Sequence, residues 1–441
     1  MLADRRRVRW EETSLTLTVY LIAFSCVFYI GIPVGPTIVM RSLDVAVFAA
    51  ALILLPKWWR TRKRHYADFE AWMFAFFGTV LLSILISCIR TNTFRMDVWL
   101  KAIRFCYLLL VVEIALTWRK RDGDLFVRLL IYFGSVEAVF TIVMYIFQIE
   151  RFCANQTFWK NGMLLQRASG FVSDAASFAF LSVVLFFVSL DRIIKGRTNE
   201  RISAIICLVS NFIGVYVSRT RTAMISVAAI SIILLTSRFI QRKGTINVLS
   251  IWRAFIKVLQ FSFLIVGFVI VLTNLFFSTT VKELILTWLP GLLEEGFWGQ
   301  INEMLSQRLY IWVQYLYILV AQPVITLLFG AGYFIFETFY NVVSIAGNGF
   351  LSHRPTHNMF LNTFVGMGML GWVCLGGVLV SAVKRTLQKG GFSELGRVLL
   401  LGQLIFMLID DSLTMVNSAA IVFIVVALAG QESDTEKLRL R

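Results

Sequence analysis

The sequence predicts an all-α polytopic membrane protein of about twelve transmembrane helices with one large outer loop. Three observations predict it. Hydrophobic residues make up 58% of the chain, and mean hydropathy is +0.77, well above a soluble domain. Apolar runs of about 20 residues recur along nearly the whole length, each able to cross a bilayer. Lys and Arg gather in the short segments between alternate runs, the asymmetry that orients a membrane protein with its positive loops inside.

Taken in order, the first run extends from Ser14 to about Ile32, behind Arg5, Arg6, Arg7 and Arg9. The arginines resemble a signal-peptide n-region, but the run is long enough to span and shows no small-residue cleavage site. An uncleaved helix at 14–33 is expected. Further spans follow near 42–56, 70–89, 98–117, 126–148, 171–190, 202–217, 222–237, 258–277, 357–383, 398–411 and 417–430. The proposed cytoplasmic segments are 57–64, 119–121, 192–201, 238–257, 384–397 and both termini. Together they hold about two thirds of the 42 Lys and Arg residues. The stretch 309–329 is apolar enough to cross, but Gln314, Gln322 and Pro323 interrupt it. A crossing there would also put Arg308 and His357 on opposite sides. It is expected to lie in or near the outer interface. The domain layout is then spans one to nine in 1–277, a large outer loop with interfacial helices in 278–356, the last three spans in 357–430, and a polar tail in 431–441.

Several function classes are excluded. The net charge of +16 is accounted for by the cytoplasmic loops, and no nucleic-acid-binding motif is visible. The six cysteines are scattered, five of them within spans, which excludes a disulfide framework. No CxxC or HExxH occurs, and His65, His353 and His357 lack metal-ligand spacing, so no metal site or cofactor is expected. No repeat relates the two halves.

Five constellations could carry chemistry. Ser218, Arg219, Thr220, Arg221 and Thr222 occupy the tight outer turn between spans seven and eight. Arginines at i and i+2 of an extended turn can point the same way. Their forks match phosphate oxygens, at roughly 1.5–3 kcal/mol per charge-assisted bond. Snorkelling to headgroups is the alternative. Arg167, Ser169, Gly170 and Asp174 precede span six, as another substrate contact or as a capped helix start. Arg308 lies with Trp312 ahead of Gly330 and Gly332, whose simplest reading is a loop turn. His353, Arg354, His357 and Asn358 enter span ten. A neutral His there can take a proton from a sugar hydroxyl, worth about 10²–10⁴ in rate, whereas the bland role is a helix cap. His357 ranks above His353 because it alone adjoins Asn358 at the helix start. Asp410 and Asp411 end span eleven and could orient His357, bind sugar hydroxyls or pair with Arg. Glu113 and Glu137 lie deeper in spans four and five, too few for a proton relay. Cations held at one mouth of an apolar scaffold suit an anionic, lipid-linked substrate.

The order of these motifs resembles the bacterial O-antigen ligase and polymerase family. The resemblance rests on Ser218 to Thr222, Arg308 with Trp312, Gly330 with Gly332, His357 with Asn358 and Leu361, and Gly366, Gly368 and Gly371. Arg167, Gly170 and Asp174 fit its upstream pattern, although Ala175 and Ala176 stand where the family has Pro-Asn. The resemblance implies a GT-C type membrane glycosyltransferase in the bacterial cytoplasmic membrane, with its active site facing outward and both termini cytoplasmic. Such an enzyme moves a glycan from undecaprenyl diphosphate to an acceptor hydroxyl without metal or nucleotide sugar. Implied roles are catalysis by His357 and Arg308, and diphosphate binding by Arg219, Arg221 and Arg167. Asp410, Asp411, Asp174, His353 and Arg354 would bind sugar or orient the others. Implied partners are the lipid-linked donor, a glycan or lipid acceptor, membrane lipids, and a flippase and chain-length regulator of the same pathway. A repeat-unit polymerase, a ligase to lipopolysaccharide core and a protein O-oligosaccharyltransferase share these motifs, and the polymerase is the favoured expectation as the more widespread role. A transporter or lipid flippase is the alternative of another class. It predicts broken midplane helices and repeat symmetry, against only six prolines here. A non-catalytic scaffold would tolerate loss of the arginines.

Overall fold

The computed structural model describes residues 2–33, 39–60, 68–92, 94–149, 153–160, 163–171, 174–195, 198–243, 296–304, 323–334, 356–388, 390–410, 413 and 415–430, with isolated positions between 252 and 315. It is a helical membrane protein. The helices are α1 (Leu2–Val27), α2 (Ser42–Arg60), α3 (Asp68–Thr91), α4 (Met96–Thr117), α5 (Lys120–Ile146), α6 (Ala175–Lys195), α7 (Thr198–Val217) and α8 (Arg221–Lys243). After α9 (Trp252–Val269) come the short α10 (Gly296–Met304) and α11 (Val324–Phe329), then α12 (Met359–Thr386), α13 (Ser393–Ile409) and α14 (Val416–Ala429). Six of them, α3, α5, α6, α7, α9 and α12, are long and apolar enough to cross a membrane. Parts of α1, α2 and α8 and the whole of α14 form shorter apolar helices.

Two antiparallel hairpins depart from the purely helical expectation. Gly31–Pro33 (β1) pairs with Val39–Arg41 (β2), and Cys153–Lys160 (β3) pairs with Met163–Ala168 (β4). The first shortens span one, because α1 stops at Val27 instead of running to 33. Gly31 and Pro33 are poor helix residues and Pro36 follows closely. The hairpin holds the backbone groups that a continued helix would have satisfied.

The burial pattern is that of a protein solvated by lipid. On α7 the exposed stripe is Ile202, Ile205, Ile206, Val209, Phe212, Ile213 and Tyr216. The face turned inward carries Ala204, Cys207, Ser210, Asn211 and Gly214. Apolar residues outside and small or polar ones inside reverse the soluble amphipathic arrangement and allow close helix approach. Gly214 faces Ser182 and Phe178 of α6, where a Cβ would lie 2.9 and 3.2 Å from them. All 14 residues of α14 are buried, as expected of a helix that is apolar all round. This central helix packs on α4, α6 and α13. Asn417 at its start donates to the Ser25 carbonyl of α1 at 2.9 Å.

Candidate functional site

The site forms where the ends of α7, α12 and α13 meet the segment carrying Arg308. α13 stops at Ile409, and its last carbonyls have no acceptor role left within the helix. Two side chains take them. Asn358 Nδ2 donates to Leu408 O at 2.9 Å, and Arg308 Nη1 donates to Ile409 O. Asn358 also caps α12, its Oδ1 accepting from the Leu361 N–H at 2.9 Å. Trp312, one turn beyond Arg308, donates from Nε1 to Thr356 O at 2.9 Å. These bonds fix the approach to α12 from three directions.

Asp410 follows directly as the residue ending α13. A carboxylate at a helix C-terminus opposes the helix dipole and needs partners. It has two. Oδ2 receives Arg308 Nη2 at 3.4 Å, and Oδ1 lies 3.4 Å from His357 Nδ1. Asp410 is buried and His357 is one third exposed, so the imidazole keeps access to the mouth. His357 is held at φ +48°, a left-handed backbone costing about 1–2 kcal/mol for a non-glycine residue.

The opposite wall is the turn 218–222. Ser218, Thr220 and Thr222 are buried while Arg219 and Arg221 are exposed, the alternation the i, i+2 spacing predicts. Arg167, at the end of β4, sits beneath this turn. Its Nε donates to Ser218 O at 2.8 Å and its Nη2 to Thr220 Oγ1 at 2.7 Å. Burial pulls the Arg167 guanidinium below its ordinary pKa. Asp174 and Asp410 oppose that shift, and Arg308 adds to it. The two walls therefore lie within electrostatic reach of one another. Arg219 stands at φ +51°, with Nη2 3.4 Å from the Tyr145 hydroxyl.

Asp174 is engaged locally. Oδ1 accepts from the N–H groups of Ala176 and Ser177 at 2.9 and 2.8 Å, which caps α6. The glycine motifs interlock. Ala331 N donates to Val365 O at 2.9 Å and Gly332 N to Gly366 O at 3.0 Å. Gly330 has φ +81°, and Gly368, at φ +66°, breaks α12. A Cβ on Gly368 would lie 2.6 Å from Gly330 N, so only glycine permits this backbone contact. Tyr333 then stacks on Phe105 with centroids 5.6 Å apart and reaches Met359 Sδ with its hydroxyl at 3.5 Å. The clasp sets where α12, and hence His357, begins.

Of the residues singled out in sequence, Arg308, His357 and Asp410 meet directly, and Arg167 meets the 218–222 turn. His353, Arg354 and Asp411 lie outside the described residues. Tyr145 was missed. Its signal was a polar series at helical spacing, Glu137, Thr141 and Tyr145, in the mostly apolar second half of α5. No group of His, Cys, Asp and Glu suited to a metal occurs among the described residues.

No curated protein matches the chain. A family model described as O-antigen ligase matches residues 204–376, which hold the 218–222 turn, Arg308, the glycine clasp and His357. Across that segment, which is less than half of the chain, the sequence is similar to the O-antigen ligase family.

Proposed function

We propose that this protein is a membrane glycosyltransferase that moves an oligo- or polysaccharide from undecaprenyl diphosphate to an acceptor hydroxyl, as a repeat-unit polymerase of O-antigen, capsule or exopolysaccharide. The observation that carries the reading is the Asp410 bridge, with one oxygen on Arg308 and the other on His357. With Nδ1–H directed at Asp410, His357 Nε2 is the basic nitrogen and accepts the acceptor hydroxyl proton. The acceptor oxygen bonds to the anomeric carbon as the bond from that carbon to the diphosphate breaks. The electron pair leaves on the diphosphate, whose charge Arg219, Arg221 and Arg308 carry. Positioning and charge stabilisation supply most of the rate, since diphosphate is a good leaving group.

In this reading about twelve helices span the bacterial cytoplasmic membrane, both termini are cytoplasmic, and the site faces outward. Arg90, in the last turn of α3, donates to Thr326 at 2.6 Å. Arg308 joins the end of α13. In the twelve-span order those two helix ends share the outer face, which supports an interfacial 309–329 segment. The donor, the acceptor, a flippase and a chain-length regulator are the expected partners. The matched family's description favours a second reading, ligation of finished glycan to lipopolysaccharide core.

The deciding experiment is the lipid-linked glycan profile of cells lacking the protein, with and without a restored copy. Single repeat units accumulating on the carrier mark a polymerase. Long polymer stranded on the carrier beside bare acceptor marks a ligase. No change in either pool overturns both readings in favour of transport.

A further inference from the structure

The two turns that shape the arginine wall stand on one stripe of α5. Glu137, Thr141 and Tyr145 follow at i, i+4 and i+8 and so share a face of the helix toward its outer end. Glu137 is fully buried. Its Oε1 accepts from the Thr141 hydroxyl at 3.1 Å, and its carboxyl also takes the backbone N–H of Phe171. No hydrogen-bond partner meets Oε2 among the described residues. Gly170, at φ +58°, sits directly on the carboxyl. A Cβ there would collide with Glu137 Oε1 and lie 2.9 Å from Thr141 Oγ1. Three residues earlier, Arg167 forks onto Ser218 O and Thr220 Oγ1. Two turns further along α5, Tyr145 receives Arg219.

We propose that Glu137 is a positioning residue for glycan transfer: its carboxyl fixes the Gly170 turn, that turn fixes Arg167, and Arg167 fixes the backbone presenting Arg219 and Arg221 to the donor. The proposal rests on the reading above, in which those two arginines hold the donor diphosphate. A buried acid in a spanning helix is costly and persists where it has work to do. The work here is local. The Phe171 N–H needs an acceptor away from water, and glycine at 170 leaves room for the carboxyl to supply one. Arg167 spends Nε and Nη2 on the neighbouring turn, which makes it a strut for that turn rather than a reaching donor.

The test uses the full chain in vesicles, with lipid-linked glycan as donor and a lipid-free repeat-unit glycoside as acceptor. Glu137→Ala is expected to raise the donor KM about tenfold, with kcat and acceptor KM within about threefold. Thr141→Val should raise donor KM about threefold, and Glu137→Gln, which keeps the accepting oxygen, should stay within about twofold of the parent. A role confined to fold stability would lower the yield of active protein and leave donor KM unmoved in Glu137→Ala and Thr141→Val, which overturns the proposal. If Glu137→Ala fails to insert, a parental donor KM in Thr141→Val overturns it alone. Arg219→Ala separates the levels. A parental donor KM there defeats the diphosphate reading itself, whereas a raised one beside an unmoved Thr141→Val defeats only the role of Glu137.

Discussion

The two walls of the mouth are built on different principles. The wall of Arg308, His357 and Asp410 is made at helix ends, where unsatisfied carbonyls of α13 fix one functional side chain and the cap of the neighbouring helix. Its charges are paired with one another and largely buried. The wall of residues 218–222 is a turn that Arg167 grips at the Ser218 carbonyl and the Thr220 hydroxyl and whose two arginines are exposed. One wall suits proton transfer, which needs a fixed base in a shielded site. The other suits capture of a multiply charged anion, which needs exposed donors at fixed spacing. In the proposed mechanism, separating the tasks lets one wall hold the base against its own carboxylate while the other keeps its two guanidinium groups exposed.

That division predicts unequal effects. Replacing His357 by Ala removes the base and should lower kcat by about 10³-fold, within the usual range for general-base loss, with donor KM little changed. The check is single-turnover transfer in vesicles. Asp410→Asn keeps the shape but weakens both the hold on Nδ1 and the pairing of Arg308, and a fall of about 30-fold is expected. Combined with His357→Ala it should add little, because residues acting as one unit are not additive. Full additivity would break the contrast, placing Asp410 outside the catalytic unit.

On the other wall, Arg219→Ala and Arg221→Ala should each raise donor KM about tenfold while leaving kcat within about threefold. Both side chains are exposed, so the effect should shrink as salt rises and screening shortens their reach. An equal drop in kcat with unchanged KM would move these arginines into the catalytic wall and erase the distinction.

Much of this arrangement was legible in the chain, and the remainder was hidden for identifiable reasons. Hydropathy placed most of the helices to within about six residues at each end, because span length is dictated by the bilayer, but α1 begins well before its expected span and α9 ends well before its own. The end of α1 was misplaced because a hairpin beginning at Gly31 is set by pairing with residues six to ten positions on, not by local hydropathy. The outward pair Arg219 and Arg221 could be read from spacing alone. The binding of Arg167 to Ser218 and Thr220 could not, since 51 and 53 residues separate the partners. Gly330 and Gly332 read as an ordinary turn. Their fit against Gly366 and Gly368 depends on two backbones meeting across the fold, which no local pattern encodes.

The smallest effect tests the joint between the walls and the scaffold. Asn358 contributes to α12 at both ends of its side chain, accepting from Leu361 N–H as a cap and donating to Leu408 O of α13. Asn358→Asp keeps the cap acceptor and loses the donor. Asn358→Ala loses both. Losing the cap should cost about 1 kcal/mol and the bond to α13 about 1 kcal/mol more, so Ala should lower the apparent melting temperature in detergent about twice as far as Asp. Because Leu408 adjoins the carbonyl that holds Arg308, the same bond should also steady Asp410. Asp should therefore depress kcat about threefold where a cap defect alone would leave it unchanged. A parental kcat in Asn358→Asp, with the melting shift intact, would mean that Arg308 alone holds the end of α13 in place and that the catalytic wall does not depend on the start of α12.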